Sequence, residues 1–337
     1  MPALVGLVIA APLATGLATG LVTTASASAS TGGQVFRFAD PAIVEASSLV
    51  VQDDMFLTSN DSGDSGRVFA VSRSGATVGV THWSDDPLDT EALAPGGSGY
   101  VWVGDIGDND SRRSSVEIAR VPVGRGDRTV DPTTYRLTYP DGPADAETLL
   151  RDPTSGRLYI ATKSVFGGVL YAVPASLDAS GSNRLRAVGR VLPVATDGAF
   201  FPDGRHLIVR NYTTAVVYAW PSLQPVGSFA LPHERQGEGI AVADDGAVYV
   251  DSEGPGSPVL EVTLPPTLEA AVRPEVSERP ASPPTSQGGT PGSRSSAAPG
   301  VEQAADDPVH RDAWPWLAGG LLGLAALLVL LRALRPR

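Results

Sequence analysis

Glu147-Thr-Leu-Leu-Arg-Asp-Pro-Thr-Ser-Gly-Arg-Leu-Tyr-Ile-Ala-Thr-Lys163 is an apolar run, a turn and a second apolar run. Asp152-Pro-Thr-Ser-Gly156 supplies the turn chemistry: proline presets φ, and glycine accepts a left-handed backbone. Leu158-Tyr-Ile-Ala-Thr162 mixes β-branched and aromatic residues, which suits a strand. Two further runs, residues 169–173 and 185–192, read the same way. A unit of four antiparallel strands therefore starts at Glu147.

The unit recurs. Aligning on an acidic residue before a short apolar strand gives starts at Glu45, Glu91, Glu147, Asp197 and Glu238, spaced by 46, 56, 50 and 41 residues. Four strands in such a period describe a β-propeller blade, not a helical solenoid. No stretch of the body sustains a 3.6-residue period. The fourth unit repeats the third, with Pro202-Asp-Gly204 as its turn. The fifth has only three strands (residues 239–242, 247–251 and 258–264) before Pro265-Pro266. Its missing strand is at the other end, Gln34-Val-Phe-Arg-Phe38. The predicted fold is all-β: a propeller over residues 34–265, with five blades of four antiparallel strands and the N-terminal strand closing the last blade. Six blades is the alternative, should residues 127–139 of the long second unit hide another.

Composition narrows the function. Of the 337 residues 42% are apolar, so a core is affordable without help from metals or crosslinks. Lys+Arg is 25 against 37 acids, a net charge of −12, which argues against a nucleic-acid partner. Without cysteine there are no disulfides, thiolate metal sites or cysteine nucleophiles. The four histidines are dispersed, so any metal site would be built from oxygen ligands.

Both ends read as targeting segments. Residues 1–29 carry no charge; an apolar run leads to Ala25-Ser-Ala-Ser-Ala29, the pattern of a signal peptide with its small-residue cleavage site. No Lys or Arg precedes the run, and an uncleaved anchor is the other reading. Residues 273–312 hold seven prolines and neither Leu, Ile nor an aromatic, which predicts a Pro/Ser/Gly-rich disordered stalk. Residues 314–331 lack charge, and at ~1.5 Å per residue they span most of a ~30 Å hydrocarbon core. Trp314 and Trp316 lie at one end and a basic tail, residues 332–337, at the other. The expectation is a single-pass cell-membrane protein, partnered with the membrane through this transmembrane helix. Its body is extracellular and its C-terminus cytoplasmic.

In a blade the start of strand one and the end of strand two share one mouth of the central channel. The first set is Glu45, Glu91, Glu147, Asp197 and Glu238; the second includes Asp61, Asp105, Lys163, Arg210, Asn211 and Glu253. Lys163 is the only lysine of the chain, and it falls on this rim. Two readings stand. The acids could tie blades together through backbone N–H groups, with Lys163 and Arg210 neutralising them. Or carboxylates converging on one axis call for a cation, with Glu91, Glu147 and Glu238 as ligands and calcium as the candidate.

Asp105-Ile-Gly-Asp-Asn109, Ala146-Glu-Thr-Leu-Leu150, Leu158-Tyr-Ile-Ala-Thr-Lys163, Gln236-Gly-Glu-Gly-Ile240 and Ser252-Glu-Gly254 together resemble secreted, WD40-like β-propeller proteins of actinobacteria. The recurring Glu-Gly-Ile and Ser-Glu strings are more loosely similar to phytase-like esterase propellers, which implies calcium or a phosphoester or lactone substrate. The expected function is ligand or partner binding at an acidic channel mouth, the ligand being a small molecule, a glycan or a protein. The alternative is a calcium-dependent hydrolase of a phosphoester, ester or lactone.

Overall fold

The computed structural model describes residues 33–273 apart from 62, 85 and 86. They fall within one unit, Met1–Ser277. The signal-peptide, stalk, transmembrane and basic-tail expectations lie outside the described residues. Among those described, no helix is long and apolar enough to cross a membrane.

Strand β1 (Gln34–Arg37) precedes the first blade, which is β2 (Val50–Gln52), β3 (Met55–Thr58), β4 (Arg67–Val71) and β5 (Thr77–Trp83). Blade two opens with β6 (Thr90–Pro95), β7 (Tyr100–Asp105) and β8 (Val116–Pro122). The chain then crosses back as β9 (Arg128–Val130), parallel to β5, and returns as β10 (Thr134–Thr138), the fourth strand of blade two. Residues 127–139 thus hold a strap and an outer strand, not a sixth blade. Blade three is β11 (Ala146–Arg151), β12 (Leu158–Thr162), β13 (Val169–Ala172) and β15 (Arg186–Arg190); β14 (Ser182–Arg184) crosses to β10 of blade two. Blade four is β16 (Asp197–Phe200), β17 (His206–Arg210), β18 (Thr214–Ala219) and β19 (Gln224–Ala230). Blade five is β20 (Gly237–Val242), β21 (Val248–Ser252), β22 (Pro258–Val262) and, antiparallel to β22, β1. The five-bladed all-β propeller and its N-terminal closure are as the repeat predicts.

The inner strands β2, β6, β11, β16 and β20 touch in that order and close the ring. There is no single core. Five apolar clusters fill the five blade interfaces, as alternating strands buried on both faces require. At the closure Phe36 packs edge-on against Phe56 (4.9 Å between ring centres), and Phe56 against Tyr249 (5.1 Å). Besides the straps β9 and β14, the sequence did not predict the seven-residue helix α1 (Pro266–Val272), begun by the prolines expected to end the fold. Proline suits a first helical turn, and Leu268 and Val272 bury against blades four and five.

Candidate functional site

The inner strands all start at one mouth. In three blades the register shifts at that start: between Thr90 and Ala92, between Ala146 and Thr148, and between Gly237 and Ile240. The bulged residues include Glu91, Glu147 and Glu238, each about 95% buried. A bulge re-aims the extra side chain and raises local twist, so three glutamates reach one mouth by the same device. The other two blades present hydroxyls in this tier. Ser47 Oγ donates to the Glu91 carbonyl (3.1 Å) and to Glu91 Oε2 (2.9 Å). Thr196 Oγ1 donates to the Glu238 carbonyl (3.0 Å).

A second polar tier lies two residues earlier in four of the five blades: Glu45, Asp89, Asp145 and Gln236. Backbone bonds tie it to the strand-two ends, as in Asp61 N–H to the Glu45 carbonyl (3.0 Å), Lys163 N–H to the Asp145 carbonyl (3.0 Å) and Glu253 N–H to the Gln236 carbonyl (2.9 Å). Asp61, Asp89 and Glu91 form the tightest group. One oxygen of each lies within 4.8 Å of the others.

In the next blade, Lys163 Nζ contacts Glu147 Oε1 and lies 5.3 Å from the centre of the Tyr212 ring. Burial alone would protonate Glu147. The Lys163 ammonium opposes that only in part, and Glu147 still rises to about 8, while the same carboxylate outweighs burial around Lys163 and holds it as ammonium. Glu147 Oε2 is buried without a partner. Elsewhere burial pushes the rim carboxyls up. Glu91 rises to about 10, helped by repulsion from Glu147, Asp61 and Asp89. Glu238 rises to about 7, opposed chiefly by a hydrogen bond from Gln236, with Glu253 adding to the rise. Asp89 rises to about 6, with Asp61 and Asp145 adding to burial.

Of the eleven predicted rim residues, the structure brings Asp61, Glu91, Glu147, Lys163, Glu238 and Glu253 together. Glu45 is exposed and stands two residues before the bulge tier, which Ser47 occupies in its blade. Asp105 faces its own loop, accepting from Arg113 Nη1 (2.7 Å) and from the backbone of Asp89 (2.9 Å) and Leu88 (3.2 Å), and so holds the Asp89 segment. Asp197 lies one residue beyond the tier. It is fully buried below it, accepting from the N–H groups of Gly198 (2.7 Å), Ile240 (2.8 Å) and Leu49 (3.5 Å), so it links three blades. Arg210 is also fully buried, bonded to Glu234 Oε2 (2.7 Å) and to the carbonyls of Gly239 (3.0 Å) and Asn211 (3.1 Å). Asn211 caps its own turn through the N–H groups of Thr213 and Thr214. Asp197 and Arg210 thus hold blades together below the rim. Sequence reasoning missed Asp89, Asp145, Gln236 and Tyr212. The signal for the first three was the alternation Asp89-x-Glu91, Asp145-x-Glu147 and Gln236-x-Glu238.

The metal reading can be tested on the donors. The predicted ligands were Glu91, Glu147 and Glu238; the structure groups Glu91 with Asp61 and Asp89 instead, and Lys163 holds Glu147. Oxygens bound to one calcium at ~2.3–2.6 Å lie within about 5 Å of each other, which the 4.8 Å group satisfies. Asp89 Oδ1 is buried with no hydrogen-bond partner. Gly107 backs the group closely: a Cβ there would stand 2.3 Å from Asp89 Oδ2. An all-oxygen, three-carboxylate set fits a hard divalent cation such as calcium.

No family model and no curated protein matches the chain. Among solved structures, a gluconolactonase from Xanthomonas campestris is similar at 13% identity, over 69% of this chain and 94% of that one, with a TM-score of 0.41. Nothing about the chemistry of this rim follows from a likeness at that level.

Proposed function

We propose that the acidic mouth binds a divalent cation on Asp61, Asp89 and Glu91, and through it an oxygen-rich ligand, on a propeller displayed at the cell surface by residues 314–331. The observation that carries this reading is the three-carboxylate group with an unpartnered buried oxygen, beside the blade that carries Lys163. Calcium sites of ~10⁻⁴–10⁻³ M suit extracellular modules, and a site with few protein charges belongs at that weak end. Lys163 is placed to meet an anionic group of the ligand. Glu238 favours a second reading, hydrolysis of an ester, lactone or phosphoester. A carboxyl that titrates at about 7 is poised to take a proton from water at neutral pH. A bound cation would supply Lewis-acid polarisation.

The test is a thermal melt of chelator-stripped protein with and without calcium. At calcium a hundredfold above Kd the gain is ~2.7 kcal/mol, or roughly 5–10 °C for a domain of this size. Asp61→Asn and Glu91→Gln should remove the shift, and Lys163→Met should keep it. A melt indifferent to calcium, magnesium and manganese alike would sink the cation site.

A further inference from the structure

The opposite mouth of the channel has different chemistry. There the inner strands end at Gln52, Pro95, Arg151, Phe200 and Val242, and between them opens a cavity of about 320 Å³. Four blades contribute apolar residues, Val51, Pro95, Ala199, Phe200 and Val242, beside Gln52 and Ser98, whose polar groups are bonded to the Tyr100 carbonyl and to Asp53. The third blade contributes Arg151, the one cation among the described residues lining the cavity. No ion pair or hydrogen bond engages its half-buried guanidinium among those residues; it rests beside Gly156 of its own hairpin turn, from which a rotation of the side chain turns it to the cavity. Two acids share the lip. Asp53 is occupied, accepting from the Gly99 N–H (2.9 Å) and the Ser98 hydroxyl (3.3 Å). Asp244 is exposed, where water screens it. Asp197 and its bonds to blades one and five lie on the inner strands between this cavity and the acidic rim.

We propose that this funnel is a second ligand site, which takes a small carboxylic acid with an apolar body. The volume is at the lower end of the ~300–1,000 Å³ typical of ligand pockets, and an apolar enclosure with few polar groups is what such pockets share. Arg151 supplies the orienting group. A guanidinium presents two parallel N–H donors that match a carboxylate and is weakly hydrated, so it gives up water for a planar anion at low cost.

The probes are 3-phenylpropanoate and its neutral twin 3-phenylpropanamide, titrated calorimetrically into the full chain in lipid nanodiscs, with empty nanodiscs as blank. The acid should bind saturably at one site per chain. Arg151→Gln should weaken it at least tenfold while leaving the amide unchanged, and Val242→Trp, which fills the funnel, should abolish binding of both. Glu91→Gln at the other mouth should leave binding of the acid intact. Three results would overturn the proposal: no saturable binding, equal affinity for wild type and Arg151→Gln, or loss of binding in Glu91→Gln. Arg151 is half-buried and unpaired, so its variant keeps the test decisive even if the tryptophan variant fails to fold.

Discussion

At the scale of the residue, the two cations of the predicted rim part company. Arg210 and Glu234 have side chains 0% and 1% exposed, and the guanidinium also holds carbonyls of blades four and five. Arg210→Met leaves a buried carboxylate and those carbonyls without their donor, so it should cost about 3–5 kcal/mol in urea unfolding. Lys163 retains 20% side-chain exposure, and its partner can escape by taking a proton, since burial already favours the acid form of Glu147. Lys163→Met should therefore lose well under the Arg210 amount while weakening any anionic ligand at the mouth. Equal losses would mean that Lys163 is another tie between blades. This difference was not legible in the sequence. The repeat period fixes which residues start a strand, but a one-residue slip sends a side chain elsewhere. Asp197, one place off the tier, ties blades through backbone N–H groups, as the first of the two readings of the acids has it, while Glu45, two places off, is exposed. The Asp-x-Glu alternation was legible and points to the tier that matters.

At the scale of the element, the strands were readable because alternating apolar residues bounded by Gly, Pro and Asp have a local cause. The straps β9 and β14 were not. Each is three residues long, and each pairs in parallel with a neighbouring blade, a choice made by the whole loop and not by its composition. The short α1 was hidden for a related reason: seven residues opened by proline show no period. The closing strand β1, by contrast, was deduced by counting a blade one strand short, and its energetic weight can be checked. Phe36 and Phe38 are buried in the cluster between blades five and one. Losing a buried Phe costs ~3–5 kcal/mol. Two of them, plus the β22 ladder, approach the ~5–15 kcal/mol by which a domain is stable. Deleting residues 33–38 should abolish cooperative melting and expose the β22 edge to association, visible by circular dichroism and size exclusion. A monomer melting within a few degrees of the parent would show that the ring closes without β1.

At the scale of the whole molecule, the ring sets carboxyls from four blades around one axis and buries them there, and the resulting electrostatics are collective. Glu91 is pushed to about 10, Glu238 to about 7 and Asp89 to about 6, from ordinary values of 4.5, 4.5 and 3.8. All three shifts are upward, so the folded chain binds more protons than the unfolded one. The stability these groups contribute is fully present below their ordinary values and is lost as pH rises through the folded ones. In chelator the melting temperature should accordingly fall from about pH 4.5 to 7 as Asp89 and Glu238 ionise, and fall further on the alkaline side as Glu91 follows. A cation reverses the sign of this cost. It replaces the protons on Asp89 and Glu91, so its affinity must climb with pH and its binding must release protons. The gap between melts in calcium and in chelator should therefore widen steadily from pH 5 to pH 8, and proton release should appear as a buffer-dependent heat of binding. A melting temperature that instead rises with pH in chelator would mean that the rim acids are ionised and paired within the fold. The mouth would then be a set of ties between blades, and the apolar funnel on the other face would be left as the ligand site of the molecule.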